Sequence, residues 1–164
     1  MAETPQEYAG RILNTLGSRD PLDVLQETPQ LLSCLMAKFS AEQVKKRPAP
    51  GKWSPMEIAV HLSEVEMMVG VRVRLVLGAN GIGIQGFDQA AWAARYDHAD
   101  LGTSLAAFYA LRAANLTLYR SLTPEQWEHF GMHSERGRET ARRVVQLCAG
   151  HDINHLRQLE AMAH

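Results

Sequence analysis

Three histidines carry the residue type and spacing for chemistry in this chain: His61, His151 and His155. His151 and His155 stand four apart in a segment patterned as a helix, which puts both imidazoles on one face about one turn apart, within reach of a single ion. Such a pair also occurs on solvated surfaces, so spacing alone says little. Here the pair falls on an apolar stripe, Val144, Leu147 or Cys148, His151, His155 and Leu159, where a neutral imidazole without a partner costs desolvation. His61 falls on the stripe of a second segment. Bundle interiors build metal centres from side chains on facing helices. Three neutral ligands would leave at least one coordination position open to water or substrate. The competing reading is three core histidines, each bonded to a carbonyl or to a neighbour, and the residues alone leave both open.

Other side chains could serve such a centre. Asp88 could orient a ligand imidazole or act as base to a metal-bound water or thiol, or it could cap the turn that follows it. His133 could line the mouth of the site or supply a proton, or be a solvated loop residue. Gln158, one turn past His155, could support it by a hydrogen bond. Cys148 shares a face with His151 and is a candidate fourth ligand, although both Cys34 and Cys148 read first as small core residues and free thiols. Arg72, Arg74, Arg136, Arg138, Arg142 and Arg143 could bind carboxylates of a cosubstrate or be ordinary exposed charges paired with Glu. The outline His151-Asp152-Ile153-Asn154-His155 resembles the zinc-protease H-E-x-x-H. It lacks the glutamate, and the third ligand would have to come from the few residues downstream, among which only His164, terminal and expected to be mobile, is a histidine. The third ligand is therefore sought upstream.

The elements that must position these residues are helices. Thr4-Pro5-Gln6-Glu7, Ser54-Pro55-Met56-Glu57 and Thr123-Pro124-Glu125-Gln126 each combine a capping hydroxyl, a proline at the first helical position and a Glu or Gln that can reach back to the cap. A short helix runs from the first cap through Tyr8, Ile12 and Leu16 to the stop Gly17-Ser18-Arg19-Asp20-Pro21. The first long helix spans about Asp23 or Pro29 to Phe39. Pro48 and Pro50 make a stiff connector, with Trp53 packing as a staple ahead of the Ser54 cap. The second long helix runs from Ser54 to about Gly78 and the third from about Thr103 to Ser121, with Leu105, Phe108, Leu111, Ala114 or Asn115, Leu118 and Leu122 on one side. The last runs from about Arg138 to Met162. The stretch Asn80–Gly102 and the hairpin-like Gly131–Gly137 are irregular, with room for a small β-element within residues 80–87 or 130–137. Four long amphipathic segments without clear period-two strands argue for an all-α bundle in a single domain, residues 1–164.

Composition agrees and narrows the partners. At 164 residues, with 46% hydrophobic and 21% charged residues, the chain can bury about two-thirds of its unfolded surface. The 17 Lys+Arg against 18 Asp+Glu leave a charge of −1, so no positive field draws it to nucleic acid. The start MAETPQEYAG carries no secretory signal, no apolar run reaches membrane-spanning length, and isolated cysteines fit a reducing compartment; a cytoplasmic protein is expected.

Two runs resemble a known family. Trp53-Ser54-Pro55-Met56-Glu57-Ile58-Ala59-Val60-His61-Leu62 is similar to the second-helix signature of the DinB-like superfamily. Gly150-His151-Asp152-Ile153-Asn154-His155-Leu156-Arg157-Gln158 is similar to its last-helix H-x-x-x-H-x-x-Q. The likeness extends from about residue 5 to 162, through Arg47-Pro48, Pro50-Gly51-Lys52 and Phe87-Asp88-Gln89 with Trp92. It implies an up-down-down-up four-helix bundle, here with a short extra N-terminal helix. It implies one divalent metal ion on His61, His151 and His155. Zinc or nickel suits three imidazoles best, and iron or copper also fits. The family includes thiol-dependent transferases and isomerases, and homodimers are common in it. The resulting expectation is transfer of a low-molecular-weight thiol to an electrophile, or hydrolysis, with Asp88 and His133 as catalytic candidates. The alternative is a non-catalytic, stress-related dimer in which the ion is structural.

Overall fold

The computed structural model describes residues 3–163; His164 lies outside the described residues. Along the chain stand α1 (Pro5–Leu16), α2 (Pro21–Met36), α3 (Pro55–Gly78), β1 (Ile82–Ile84), α4 (Gln89–Ala93), α5 (Leu101–Arg120), α6 (Pro124–Trp127), β2 (Phe130–His133), β3 (Gly137–Thr140) and α7 (Ala141–Met162). Short 3-10 turns occupy Gln43–Lys45 and Tyr96–His98.

Capping chemistry sets where the helices begin. Thr4, Ser54 and Thr123 each accept a bond from the N3 backbone N–H while Glu7, Glu57 or Gln126 accepts one from the cap. The sequence places these three starts where the structure has them. It misplaces α2, because Asp20-Pro21 closes α1 and also opens the next helix: Asp20 accepts from the N–H groups of Leu22 and Asp23. Pro29 then lies inside α2. Its missing N–H leaves the Leu25 carbonyl without a helical partner, and the Arg112 Nη1 fills the vacancy at 2.9 Å.

The directions of the long helices follow from which ends share a core. Leu32 and Met36, late in α2, pack with Ile58 and Leu62 early in α3, Phe108 in α5, and Leu156 and Leu159 late in α7. Val24 and Leu25, early in α2, pack with Val73 and Val76 late in α3, Leu116 and Tyr119 late in α5, and Val144 and Val145 early in α7. Thus α2 and α7 run one way, α3 and α5 the other: up-down-down-up. Each of α2 and α3 packs against both α5 and α7. Because α3 and α5 are parallel neighbours, the chain must return along the bundle between them, and residues 79–100 make that return. The extra helix α1 lies on α7, seated so closely that a Cβ on Gly150 would stand 2.2 Å from the Ile12 carbonyl oxygen.

A three-stranded sheet, in the order β1-β2-β3, closes one end. β1 and β2 are parallel, with Ile84 opposite His133, and β2 and β3 are antiparallel, with His133 opposite Gly137. Strands of three and four residues are too short to show alternation, which is why the sequence leaves them irregular, and β3 takes the first residues assigned there to the last helix. A Cβ on Gly131 would meet Ile84 Cδ1 at 2.5 Å, so β1 and β2 can approach only over a glycine. Cys148 is buried as expected, but Cys34 is exposed on α2, because the stripe turns past it to Leu32 and Met36.

Candidate metal centre

His61 sits two turns into α3, and His151 and His155 midway and two-thirds along α7, where the two helices pack. All three are nine-tenths or more buried. The Nε2 of His151 lies 2.9 Å from that of His61 and 3.1 Å from that of His155. Each ring also has a defined far side. Tyr96 donates its hydroxyl hydrogen to Glu64 Oε2 at 2.7 Å, so its oxygen accepts from His61 Nδ1–H at 3.3 Å. Gln158 Oε1 accepts from His155 Nδ1–H at 2.9 Å. His151 Nδ1 is buried with no protein partner. Protons held on the Nδ1 atoms of His61 and His155 leave lone pairs on their Nε2 atoms.

Both lone pairs face His151 Nε2 at about 3 Å, where a hydrogen on that atom serves one of them at a time and a cation among the three serves all. Imidazole nitrogens that share one divalent ion at about 2.0–2.1 Å stand roughly 2.9–3.4 Å apart for angles from 90° to tetrahedral, and the two measured separations fall in that range. Burial, with His155 nearby, pushes the His61 pKa down to about 3. Burial takes His155 to about 4, opposed by Gln158. Burial and the two neighbouring rings push His151 well below the ordinary value. Neutral rings are the form that binds metal, so the donor set fits a divalent ion.

Trp53 roofs the centre, its ring 4.6 Å from His61 and nearly parallel to His155 at 6.1 Å; it does more than staple a helix. A cavity of about 330 Å³ adjoins His151, and a wider groove of about 700 Å³ adjoins His155, Trp53 and Gln158. Tyr8 and Gln89 line both.

Residues 24–159 match the family profile of the DinB superfamily. The chain belongs to this superfamily. "Putative metal-dependent hydrolase OB0782" from Oceanobacillus iheyensis is 24% identical over 157 residues, 95% of this chain and 91% of that protein. "Putative metal-dependent hydrolase YfiT" from Bacillus subtilis is 27% identical over 116 residues, 70% of this chain and 65% of that one. The solved YfiT structure, described as a probable metal-dependent hydrolase with an unusual four-helix bundle topology, superposes with a TM-score of 0.77 at 24% identity over 86% of this chain and 84% of its own. TT2238, described as a four-helix bundle protein, superposes at 0.64 with 20% identity, covering 86% of this chain and 96% of its own.

In this DinB-superfamily chain the remaining sequence candidates separate. His133 is not a solvated loop residue: it ends β2, is buried, and lines the cavity beside His151. Asp88 is exposed and caps α4, its Oδ1 accepting from the N–H groups of Ala90 and Ala91 at 2.9 and 3.0 Å, while its neighbours Phe87 and Gln89 line the cavity. Burial, with Asp152 and Glu66 nearby, pushes the Cys148 thiol well up, and its Sγ points to Glu66 Oε2 at 3.8 Å. Of the six arginines, Arg72 and Arg136 line the cavity. Arg74 donates to Asn115, Arg138 lies over Phe130, and Arg142 pairs with Glu128.

Sequence reasoning missed two groups of residues. Tyr96 and Glu64, which fix the His61 tautomer, are joined only by the fold. The other group is a buried ionic network beside the centre: Arg112 Nη2 on Glu66 Oε2 at 2.7 Å and Arg112 Nη1 on Asp152 Oδ2 at 2.8 Å, with Asn115 donating to Glu66. Its signal was present, since Glu66, Arg112 and Asp152 each stand four residues after a buried apolar residue: Leu62, Phe108 and Cys148.

Proposed function

We propose that this chain is a metal-dependent enzyme whose His61, His151 and His155 hold one divalent ion, zinc or nickel in preference to iron or copper. The observation that carries this reading is the convergence of three Nε2 atoms, two of them with their Nδ1 protons anchored on Tyr96 and Gln158. Bound there, the ion supplies Lewis acidity that lowers the pKa of a water or thiol at its open position. The chain's own contribution is to hold the rings neutral and oriented, to shield one side with Trp53, and to leave openings at His151 and His155. The reaction proposed is hydrolysis, as the names of its relatives suggest, or transfer of a small thiol to an electrophile. Among the described residues no fourth His, Cys, Asp or Glu joins the three rings, which favours catalysis over a structural ion.

Purified protein should carry about one divalent ion per chain by elemental analysis, and His61→Ala should lose it while staying folded. A chain that cannot be loaded with zinc, nickel, iron or copper overturns the reading. The reading extends to a cytoplasmic homodimer. Two free cysteines fit a reducing compartment, and among the described residues no helix is long and apolar enough to cross a membrane. Met67, Val71 and Leu75 form an apolar stripe on α3, each more than two-fifths exposed, that a second copy could cover. Sedimentation should give twice the chain mass, and a monomer at micromolar concentration excludes the dimer.

A further inference from the structure

The cavity beside His151 holds two buried hydrogen-bond donors that find no acceptor. Arg72 is 7% exposed and His133 3%. Both line the cavity, and Arg72 Nε and His133 Nε2 have no protein partner. The backbone decides that His133 is a donor there: the N–H of Glu135 donates to its Nδ1 at 3.2 Å, which puts the ring hydrogen on Nε2. Arg72 is held in place by the Gln85 carbonyl oxygen, 3.2 Å from its Nη2, and by the Phe87 ring beneath its guanidinium. Its Nε–H is left over. A buried donor without an acceptor costs about 1–3 kcal/mol, and more when charged.

Two of the surrounding carboxylates are taken by other arginines, and the third, Glu135, lines the cavity without entering an ion pair among the described residues. Arg136 forks onto Glu139 at 2.8 and 3.0 Å, and Glu3 pairs with Arg11. Glu135 is exposed. Arg72 enters none of the ion pairs among the described residues. The cavity therefore presents one buried cation that is in none of these ion pairs, with Glu135 and Glu139 as the nearby carboxylates, and one neutral N–H donor, on a wall that also carries Val65, Val69 and Leu147. A volume of about 330 Å³ is at the small end of ligand sites.

We propose that Arg72 and His133 form an oxyanion subsite, so that the substrate is a small molecule with a carboxylate or phosphate at one end and its reacting group at the three histidines. The class of substrate rests on the metal-centre reading; the anion subsite does not. Two measurements keep them apart. In the metal-free chain, butyrate and propylphosphonate are titrated while the Arg72 Nε–H resonance is followed by NMR. A saturable shift is expected with one of the two, and the better ligand tells carboxylate from phosphate. An Arg72 signal unmoved by either anion overturns the subsite, whatever the histidines bind.

In the zinc-loaded protein, mercaptoalkanoates of increasing chain length are compared by calorimetry with mercaptoalcohols of equal length. The charged member of the best pair should bind about tenfold tighter, and the optimal length measures the gap between ion and subsite. Arg72→Met should abolish the preference while leaving alcohol binding unchanged, and His133→Phe should reduce it. His133→Phe also serves if Arg72→Met does not fold. Equal binding of acid and alcohol, or a preference that survives in both variants, removes the link between subsite and metal centre and overturns the substrate class.

Discussion

At the residue scale the centre depends on which nitrogen of each imidazole carries the hydrogen. Gln158 can only accept at its Oε1, so it holds the His155 hydrogen on Nδ1 and the lone pair where the three rings meet. Gln158→Leu keeps the bulk of the side chain and removes the acceptor. The expected result is a zinc affinity about 10–100-fold weaker in competition with a chelator, with the metal-free melting temperature almost unchanged because the residue lies on the exposed side of α7. Unchanged affinity would show that the contact does not set the tautomer. His61, His151 and His155 were legible in the sequence because each replaces an apolar residue on a helical stripe, a pattern local to its own segment. Tyr96 and Glu64 were not. Nothing local ties a tyrosine in a 3-10 turn to a glutamate 32 residues earlier, and only the return of the chain past α3 joins them. Gln158 was legible as a neighbour of His155 able to hydrogen-bond it, because the two stand one helical turn apart, and that bond is present.

The helices were legible to the extent that their ends are chemical. The three cap-proline starts were placed correctly because a hydroxyl, a proline and a returning Glu or Gln specify the first turn by themselves. The start of α2 was missed because Asp20-Pro21 ends one helix and begins another; the places of β1 and β2 were open to a β-element, but strands of three and four residues cannot display a period that would fix their bounds. How close α1 comes to α7 was also illegible, although the residue that allows it was in view. At Gly150 a methyl group would press into the Ile12 carbonyl oxygen, a backbone atom that moves only if α1 moves. Gly150→Ala is therefore expected to cost about 1–3 kcal/mol in denaturant unfolding, against the few tenths to 1 kcal/mol it would gain in a free helix. Because α1 carries Tyr8, which lines both openings, the same variant should expose α1 amides to faster hydrogen exchange. A variant as stable as the parent would mean that α1 does not pack as described.

The described part of the molecule has two apolar cores with a set of buried polar side chains embedded near where they meet. One core holds Leu32, Ile58, Phe108 and Leu159, the other Val24, Val73, Leu116 and Val145. The polar set is His61 and Glu66 on α3, Arg112 and Asn115 on α5, and His151, Asp152 and His155 on α7, all buried. Arg112 ties this set together: it reaches Glu66 on α3, Asp152 on α7 and the freed Leu25 carbonyl on α2 from its own place on α5, so one side chain touches all four long helices. Its own charge is secured by Asp152 and Glu66 against burial, while burial pushes the Asp152 carboxyl up despite Arg112. Arg112→Met leaves two buried carboxyl groups and a carbonyl without their partner, and is expected to lower stability by about 3–5 kcal/mol. Replacing the network as a unit, with Arg112→Met, Glu66→Leu and Asp152→Leu together, should recover most of that loss, since the desolvation of all three charges is then avoided. Urea unfolding of the parent, the single variant and the triple variant measures both steps. A mild single variant would mean that the charges are solvated through the cavity, whereas a triple variant no more stable than the single would mean that the network is needed for the helices to choose this packing.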